Sequence, residues 1–331
     1  MIGKPLITLG LPVYNGEGCI EFTLRSISEA LSGIRDIGLI EILVSDNMSV
    51  DNTCAVIEGF IRSGLNIVYN CNQANIGYDK NIDAIVRKAA GKYVWFVGCG
   101  EKLKVDSLSR LIEKLDNDMD YTNVVLDFDI YDEARDEITD LGIFAFHDDV
   151  LLEGKNNFEY GKYGPAVSSN VINRSKWQRI AGEPLVVDGW CHVERILSMI
   201  ALDENSKTSL LATPYFTLFR EKGGWWTKPN SYLLLLLHLD VIMSMLDKGF
   251  SKEVVEKLQR GHSRIVLMMA VMQSKGYGLK ADRELIRDMI RRFGKDLFFW
   301  IFVFPILILP KQFDVFAKIM LKVLKTMRAL K

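Results

Sequence analysis

The first 130 residues alternate short β-rich apolar runs with segments whose apolar residues recur at intervals of three and four, and no other feature constrains the fold as much. Strands are predicted over residues 6–11, 40–44, 65–69, 93–97 and 123–130. Between them Ile20, Leu24, Ile27 and Leu31, then Cys54, Ile57, Phe60 and Ile61, then Ile82, Ile85, Val86 and Ala89, then Leu108, Leu111, Ile112 and Leu115 each mark one face of a helix. Strand–helix alternation of this kind builds crossover units, hence an α/β fold with a mainly parallel sheet flanked by helices. Ligands in such folds bind where loops leave the carboxyl ends of the strands. The loops after the first, second and fourth strands are therefore where chemistry is expected.

Composition narrows the class further. The 331 residues are 49% hydrophobic and 25% charged, with a net charge of −1. That excludes a disordered chain and a global basic field, so no nucleic-acid partner is expected. The balance hides a polarity, because residues 282–331 carry eleven Lys and Arg against five Asp and Glu. The five cysteines, Cys19, Cys54, Cys71, Cys99 and Cys191, are odd in number and scattered, which predicts free thiols in a reducing compartment. The amino terminus has no basic segment followed by a long apolar one, so a cytoplasmic location is expected.

Residues 131–163 read as a polar, irregular excursion over the site, and a second structured stretch runs over 166–219, with a strand at Val171 and Ile172 and a helix over 192–201. Beyond the loop 220–230 the pattern is helical over 232–246, 252–272 and 282–293. The expected organisation is a ligand-binding and catalytic domain over 1–230 and a helical region over 231–331. Residues 298–310 form an uncharged run too short to span a bilayer. After it, Phe313, Phe316, Met320, Val323, Leu324 and Met327 share one helical face, with Lys311, Lys318, Lys322, Lys325 and Arg328 mostly elsewhere. A basic amphipathic segment over 298–331 suits an anionic membrane surface, although a helix packed on its own domain has the same pattern.

The first strand runs into Leu11-Pro12-Val13-Tyr14-Asn15-Gly16-Glu17, a turn whose backbone and ring can hold a flat ligand. The second ends in Ser45-Asp46-Asn47-Met48-Ser49-Val50-Asp51, where Asp46 can accept from the imide N–H of a pyrimidine and Ser49 or Asp51 can cap the next helix. With Asn75-Ile76-Gly77-Tyr78-Asp79-Lys80-Asn81 and the strand Tyr93-Val94-Trp95-Phe96-Val97-Gly98, these segments resemble, in order and spacing, the family 2 glycosyltransferases of the GT-A fold. The resemblance is good over the first 110 residues and looser to about residue 230.

It implies a nucleotide-sugar donor across the carboxyl edge of the sheet and a glycan or lipid-linked acceptor, as in bacterial surface-polysaccharide and O-antigen assembly. Pro12, Val13 and Tyr14 would line the base pocket, with Glu17 beside them. Asp46 would hold the base, Gly77 would let the chain approach the nucleotide, and Lys80 would face the diphosphate unless it is simply a solvated cation. The family's aspartate cluster, whose last member binds a divalent cation, is replaced here by Gly98-Cys99-Gly100-Glu101. Either Glu101 holds Mn²⁺ or Mg²⁺ through diphosphate oxygens and water, or Lys and Arg replace the metal, or the site has decayed.

Inverting transfer needs a base for the acceptor hydroxyl. The matching stretch is Pro184-Leu185-Val186-Val187-Asp188-Gly189-Trp190-Cys191-His192-Val193-Glu194-Arg195, where Asp188 is the first candidate and His192 and Glu194 are alternatives. Each also has an ordinary reading as a cap, a buried histidine or an ion-pair partner. Trp177 can stack on an acceptor sugar or fill the core. In the loop 219–228, Arg220 and Lys222 can meet the diphosphate while Trp225 and Trp226 close on a sugar. The expected protein is an inverting glycosyltransferase, peripheral on the inner face of a membrane. A degenerate, non-catalytic protein that binds nucleotide, glycan or partners is the alternative.

Overall fold

The computed structural model describes residues 4–132, 136–140, 148–155, 166–220, 232–261, 267–276 and 279–309. The chain divides into two compact units, Met1–Glu221 with Asp247–Phe250, and Lys222–Leu246 with Ser251–Lys331.

The first unit begins with β1 (Ile7–Val13), α1 (Ile20–Leu31), β2 (Ile40–Asp46), α2 (Thr53–Arg62), β3 (Ile67–Cys71), α3 (Tyr78–Lys88) and β4 (Tyr93–Phe96). It continues through β5 (Lys102–Leu103), α4 (Ser107–Leu115), β6 (Asn123–Asp132), β7 (Glu137–Asp140), β8 (Val150–Glu153), β9 (Asn170–Asn173), α5 (Arg174–Gln178), α6 (Cys191–Leu202) and β10 (Lys207–Arg220). The sheet has the order β3-β2-β1-β4-β9-β6-β10-β5, with β7 beside β6 and β8 beside β10. Strands β3, β2, β1 and β4 are all parallel, as the alternation requires.

Ile7, Leu9, Leu11, Leu43, Val44, Trp95 and Phe96 are all at most 1% exposed, because helices cover both faces. The contact is close at Gly10, where a Cβ would lie 2.4 Å from Cγ2 of Ile85 on α3. That approach fixes the height of α3 over β1, and with it the start of α3 at the carboxyl edge.

Past β4 the sheet becomes mixed. β9 runs antiparallel to both β4 and β6, while β6 and β10 pair in parallel. β10 did not stand out as a strand because Pro214 interrupts its pattern, and the structure absorbs that residue in register shifts between Leu211 and Phe216. The stretch expected to be irregular over 131–163 contains two strands, β7 and β8, each pairing antiparallel at the margin of the sheet. Each is only four residues long, which hid them.

Two further expectations are corrected. Cys19 and Cys99 are not free thiols but form a disulfide with a Cα–Cα distance of 5.6 Å across a sequence separation of 80. Scatter in sequence concealed the pair, because the β1–α1 and β4–β5 turns meet in space. Cys54, Cys71 and Cys191 are free. Trp177 is completely buried against Phe96, and its indole N–H donates to Asp83 Oδ1 at 2.8 Å. It therefore belongs to the core and presents no open face to a sugar.

The second unit contains α7 (Tyr232–Ser244), α8 (Lys252–Gly261), α9 (Leu267–Gly276), α10 (Arg283–Phe293), a π-helical turn over Phe299–Val303 and α11 (Phe304–Ile308). Asp282 caps α10 by accepting from Leu285 N at 2.8 Å. The uncharged run is two-sided: Phe299, Val303 and Leu307 pack with Tyr232, Leu236, Met268 and Phe293, whereas Trp300, Ile301 and Ile308, with Leu297 just before the run, are exposed. No described helix is long and apolar enough to cross a membrane. Residues 310–331 lie outside the described residues.

Truncating the buried indole should be costly: Trp177→Ala is expected to lower stability by about 3–5 kcal/mol, read as an earlier urea midpoint with an unchanged slope. A midpoint at the wild-type value would contradict its placement in the core.

Candidate active site

Parallel strands that end together leave unpaired backbone groups, and at the carboxyl edge of β1, β2, β3 and β4 side chains from the loops satisfy them. The β1–α1 turn is laced to the β2–α2 turn. Asn15 N donates to Ser49 Oγ at 2.8 Å, and Val50 N donates back to Asn15 Oδ1 at 3.0 Å. Gly16 N donates to Thr53 Oγ1 at 2.8 Å, and Glu17 N to Asp51 Oδ2 at 3.1 Å. The Glu17 carboxylate, expected beside the donor, accepts from Asn52 N at 2.9 Å, next to the start of α2. Asn15 and Met48 hold left-handed backbone angles, φ 50° and 65°, which side chains rarely adopt. Strain of that kind gathers at binding loops.

Asn47 is the node of this edge. It is 4% exposed, its backbone N–H donates to Val13 O at 2.8 Å, and its Nδ2 donates to Asn75 Oδ1 at 2.8 Å and Gly77 O at 3.3 Å. Its Oδ1 accepts from Ile76 N at 3.0 Å and Asn72 Nδ2 at 3.2 Å. One side chain thus joins the β2–α2 turn to the β3–α3 loop. Nothing in the sequence pattern singled it out.

The other expected donor residues lie along the same edge. Pro12 and Val13 end β1, and Tyr14 is 50% exposed beyond them. Asp46 is 1% exposed, with Oδ1 accepting from Ser49 N at 2.8 Å and Ser49 Oγ at 2.6 Å, and Oδ2 from Tyr69 Oη at 2.7 Å. Burial and the Asp46 bond push the Tyr69 phenol up, so it stays protonated and donates. Gly77 has φ 82°, and nothing lies within 4 Å of where its Cβ would be, so backbone is open to a ligand there. Lys80 is exposed on the first turn of α3.

Asp79, which had no assigned role, connects this edge to the segment bearing the proposed base. Its carboxylate accepts from Gly189 N at 2.6 Å and Cys191 N at 3.2 Å, holding the start of α6 against the start of α3. Asp188 is exposed immediately before Gly189, which takes φ 89°. His192 is 3% exposed, stacked on Trp190 at 5.7 Å and edge-on to Tyr78 at 6.4 Å. Glu194, the other alternative, is 1% exposed, and its two oxygens accept from Val186 N at 3.0 and 2.9 Å. Its carboxylate holds the segment that presents Asp188.

At the β4–β5 turn the Glu101 carboxyl folds back on its own loop. Oε2 accepts from Gly98 N at 2.9 Å, and the same N–H lies 3.0 Å from Ser168 Oγ. Burial pushes the carboxyl up to about 7, against the opposing effect of hydrogen bonds from Ser168 and Gly98. Thr23 Oγ1 donates to Glu101 O at 3.1 Å and accepts from Gly100 N at 2.9 Å. With Cys99 bonded to Cys19, the turn offers no set of oxygen ligands to a hard divalent ion. Among the described residues no group of three His, Cys, Asp or Glu could hold a metal. Arg220 closes β10, and Lys222, Trp225 and Trp226 lie outside the described residues.

A mixed α/β sheet in this strand order, with helices around it, is the GT-A fold. The glycosyl transferase family 2 model matches residues 8–176, and the chain belongs to that family. Abequosyltransferase RfbV of Salmonella typhimurium is 38% identical over 117 residues, 35% of this chain and 34% of that protein. The chain thus matches about a third of that relative's length. Staphylococcus aureus TarS 1–349 in complex with UDP has a TM-score of 0.60 at 14% identity, covering 87% of this chain and 79% of that one. The mannosyltransferase PcManGT from Pyrobaculum calidifontis, in complex with GDP-Man and Mn²⁺, has a TM-score of 0.58 at 14% identity, covering 92% and 86%.

Asn47→Ala should leave the Ile76 N–H without its acceptor and Asn75 Oδ1 without its donor, lowering stability by about 1–3 kcal/mol in urea unfolding; unchanged stability would refute the node. The Glu101 carboxyl gives a pH signature. Its folded form holds a proton that the unfolded chain releases near 4.5, so wild type should lose stability as pH rises from about 4.5 to about 7. Thermal melts of wild type and Glu101→Gln across that range check this, and a parallel pair of curves would contradict it.

Proposed function

We propose that the protein is an inverting glycosyltransferase that moves a sugar from a nucleoside-diphosphate donor to a glycan or lipid-linked acceptor in cell-surface polysaccharide assembly. The carrying observation is Asp79, which joins the start of α3 on the donor edge to the segment presenting Asp188. Pro12, Val13 and Tyr14 flank the base, and Asp46 shapes its pocket by fixing Ser49 and Tyr69. The open backbone at Gly77 admits the nucleotide, and Lys80 faces the diphosphate.

Asp188 accepts the proton of the acceptor hydroxyl as its oxygen bonds to C1 of the sugar, while the C1–O bond to the diphosphate breaks on the opposite face. Holding a carboxylate beside the start of α3 sets the line between acceptor and leaving group. His192, buried on Trp190, supports that segment. The inward-folded Glu101 and the bonded Cys99 favour a diphosphate met by cations, Lys80 with Arg220 and Lys222, over one met by protein-bound Mn²⁺ or Mg²⁺.

The exposed Leu297, Trp300, Ile301 and Ile308 and the basic segment that follows suit an anionic membrane surface, where a lipid-linked acceptor resides. On this reading the protein is peripheral on the cytoplasmic face. The replaced aspartates favour one rival reading, a non-catalytic member that binds nucleotide or glycan.

A thermal-shift panel of nucleoside diphosphates and their sugars, with and without Mn²⁺, should find a stabilising donor in the absence of metal. With that donor, Asp188→Asn should lower kcat by about 10²–10⁴-fold while donor binding persists. Turnover unaffected by the substitution would remove Asp188 from the mechanism, and binding without turnover by wild type across donors and acceptors would support the rival. The full chain should partition onto vesicles containing phosphatidylglycerol and not onto phosphatidylcholine alone.

A further inference from the structure

The Cys19–Cys99 pair stands at a junction that the proposed chemistry does not use. Cys19 precedes α1 at the end of the turn that begins with Tyr14, and Cys99 is in the β4–β5 turn, so one S–S bond spans the two turns flanking the proposed donor site. The turns are in contact: a Cβ on Gly16 would meet Val13 Cγ2 at 2.5 Å and Cys99 Sγ at 3.0 Å. Gly16 in turn donates to Thr53 Oγ1, so a shift of Cys99 is felt at Val13 and at the start of α2. Both cysteines are half-buried, near enough to the surface for a small thiol to reach. The Cys19 and Cys99 sulfurs lie 3.5 and 3.9 Å from Gly16 O, which gives a reduced thiol an acceptor in place.

The noncovalent ties on the β4–β5 turn reach α1 through Thr23, and Ser168 and the turn's own Glu101 hold Gly98. The disulfide ties the β4–β5 turn covalently to the Tyr14–Cys19 turn, beside the packing of Cys99 on Gly16. Its state therefore sets whether the two sides of the donor site are held at a fixed separation.

We propose that Cys19 and Cys99 form a reversible redox site that couples thiol–disulfide state to the order of the donor-binding turns. This rests on the donor-site reading above. A dithiol reductant supplies the electrons: one of its thiolates attacks a cysteine sulfur, the S–S bond breaks, and the other cysteine leaves as a thiolate that takes a proton. The second thiol of the reductant then attacks the reductant's own sulfur in that mixed disulfide and expels the remaining protein cysteine as a thiolate that takes a proton, leaving two protein thiols and an oxidised, cyclised reductant, a transfer of two electrons. The oxidised protein holds the turns preorganised and binds nucleoside diphosphate more tightly; the reduced protein frees the β4–β5 turn.

Peptide mapping of the full chain, oxidised or treated with dithiothreitol, should find a 19–99 cross-link that is lost on reduction and regained on reoxidation. Amide exchange in peptides covering 14–19 and 97–101 should speed at least fivefold on reduction, and affinity for whichever of UDP, GDP, CDP or dTDP binds should fall at least threefold. Cys99→Ser should match the reduced protein and ignore dithiothreitol. No cross-link, or identical exchange and affinity in both states, overturns the proposal. Failure of all four nucleotides to bind either state defeats the donor-site reading and the switch with it.

Discussion

The Asn47 carboxamide is the constraint on which the site depends. Parallel strands ending together present backbone groups with no ladder partner, and loops long enough to bind a ligand would otherwise be free to wander. Asn47 donates to one loop through Nδ2 and accepts from it through Oδ1, while its own N–H is bound to Val13. A carboxylate could only accept there and a hydroxyl carries a single donor, so an amide side chain fits this arrangement. With the bonds between Asn15, Gly16 and Glu17 and residues 49–53, it makes three loops into one surface.

The opposite side of the site is built from carboxylates that are spent on backbone N–H groups. Asp79 and Glu194 are both acceptors for backbone N–H groups of the segment around Asp188, one from α3 and one from α6. Their work leaves Asp188 as the exposed carboxylate of that segment. Glu101 shows the same inward turn, and its raised affinity for a proton follows from burial, against the hydrogen bonds from Ser168 and Gly98. An acid held in this way stabilises the turn when neutral and resists serving as a cation ligand.

The first half of the fold was legible in the sequence because strands buried on both faces read as continuous apolar runs and helices buried on one face carry a 3.6-residue period. The starts of β2, β4 and β6 fall at residues 40, 93 and 123, as the apolar runs indicate. β10 was missed because Pro214 breaks its pattern, and β7 and β8 because each is only four residues long.

At the site, sequence alone marked the loops and the proposed base, but not which polar residue ties them. Asn47, Asp79 and Thr23 are short polar side chains whose importance arises from what the fold brings near them. The disulfide was invisible for the same reason, and Trp177 read equally well as a sugar platform until its burial assigned it to the core.

The most direct test of the account is where a nucleotide binds. In a ¹H–¹⁵N correlation titration of the full chain with the nucleoside diphosphate that stabilises it, the largest amide shifts should fall in 12–17, 46–50, 76–80 and 97–101. The contrasting location is the 440 Å³ cavity lined by Lys4, Lys92 and Arg174, beyond the start of β1. Shifts centred on that cavity, with the carboxyl-edge loops unmoved, would contradict the account.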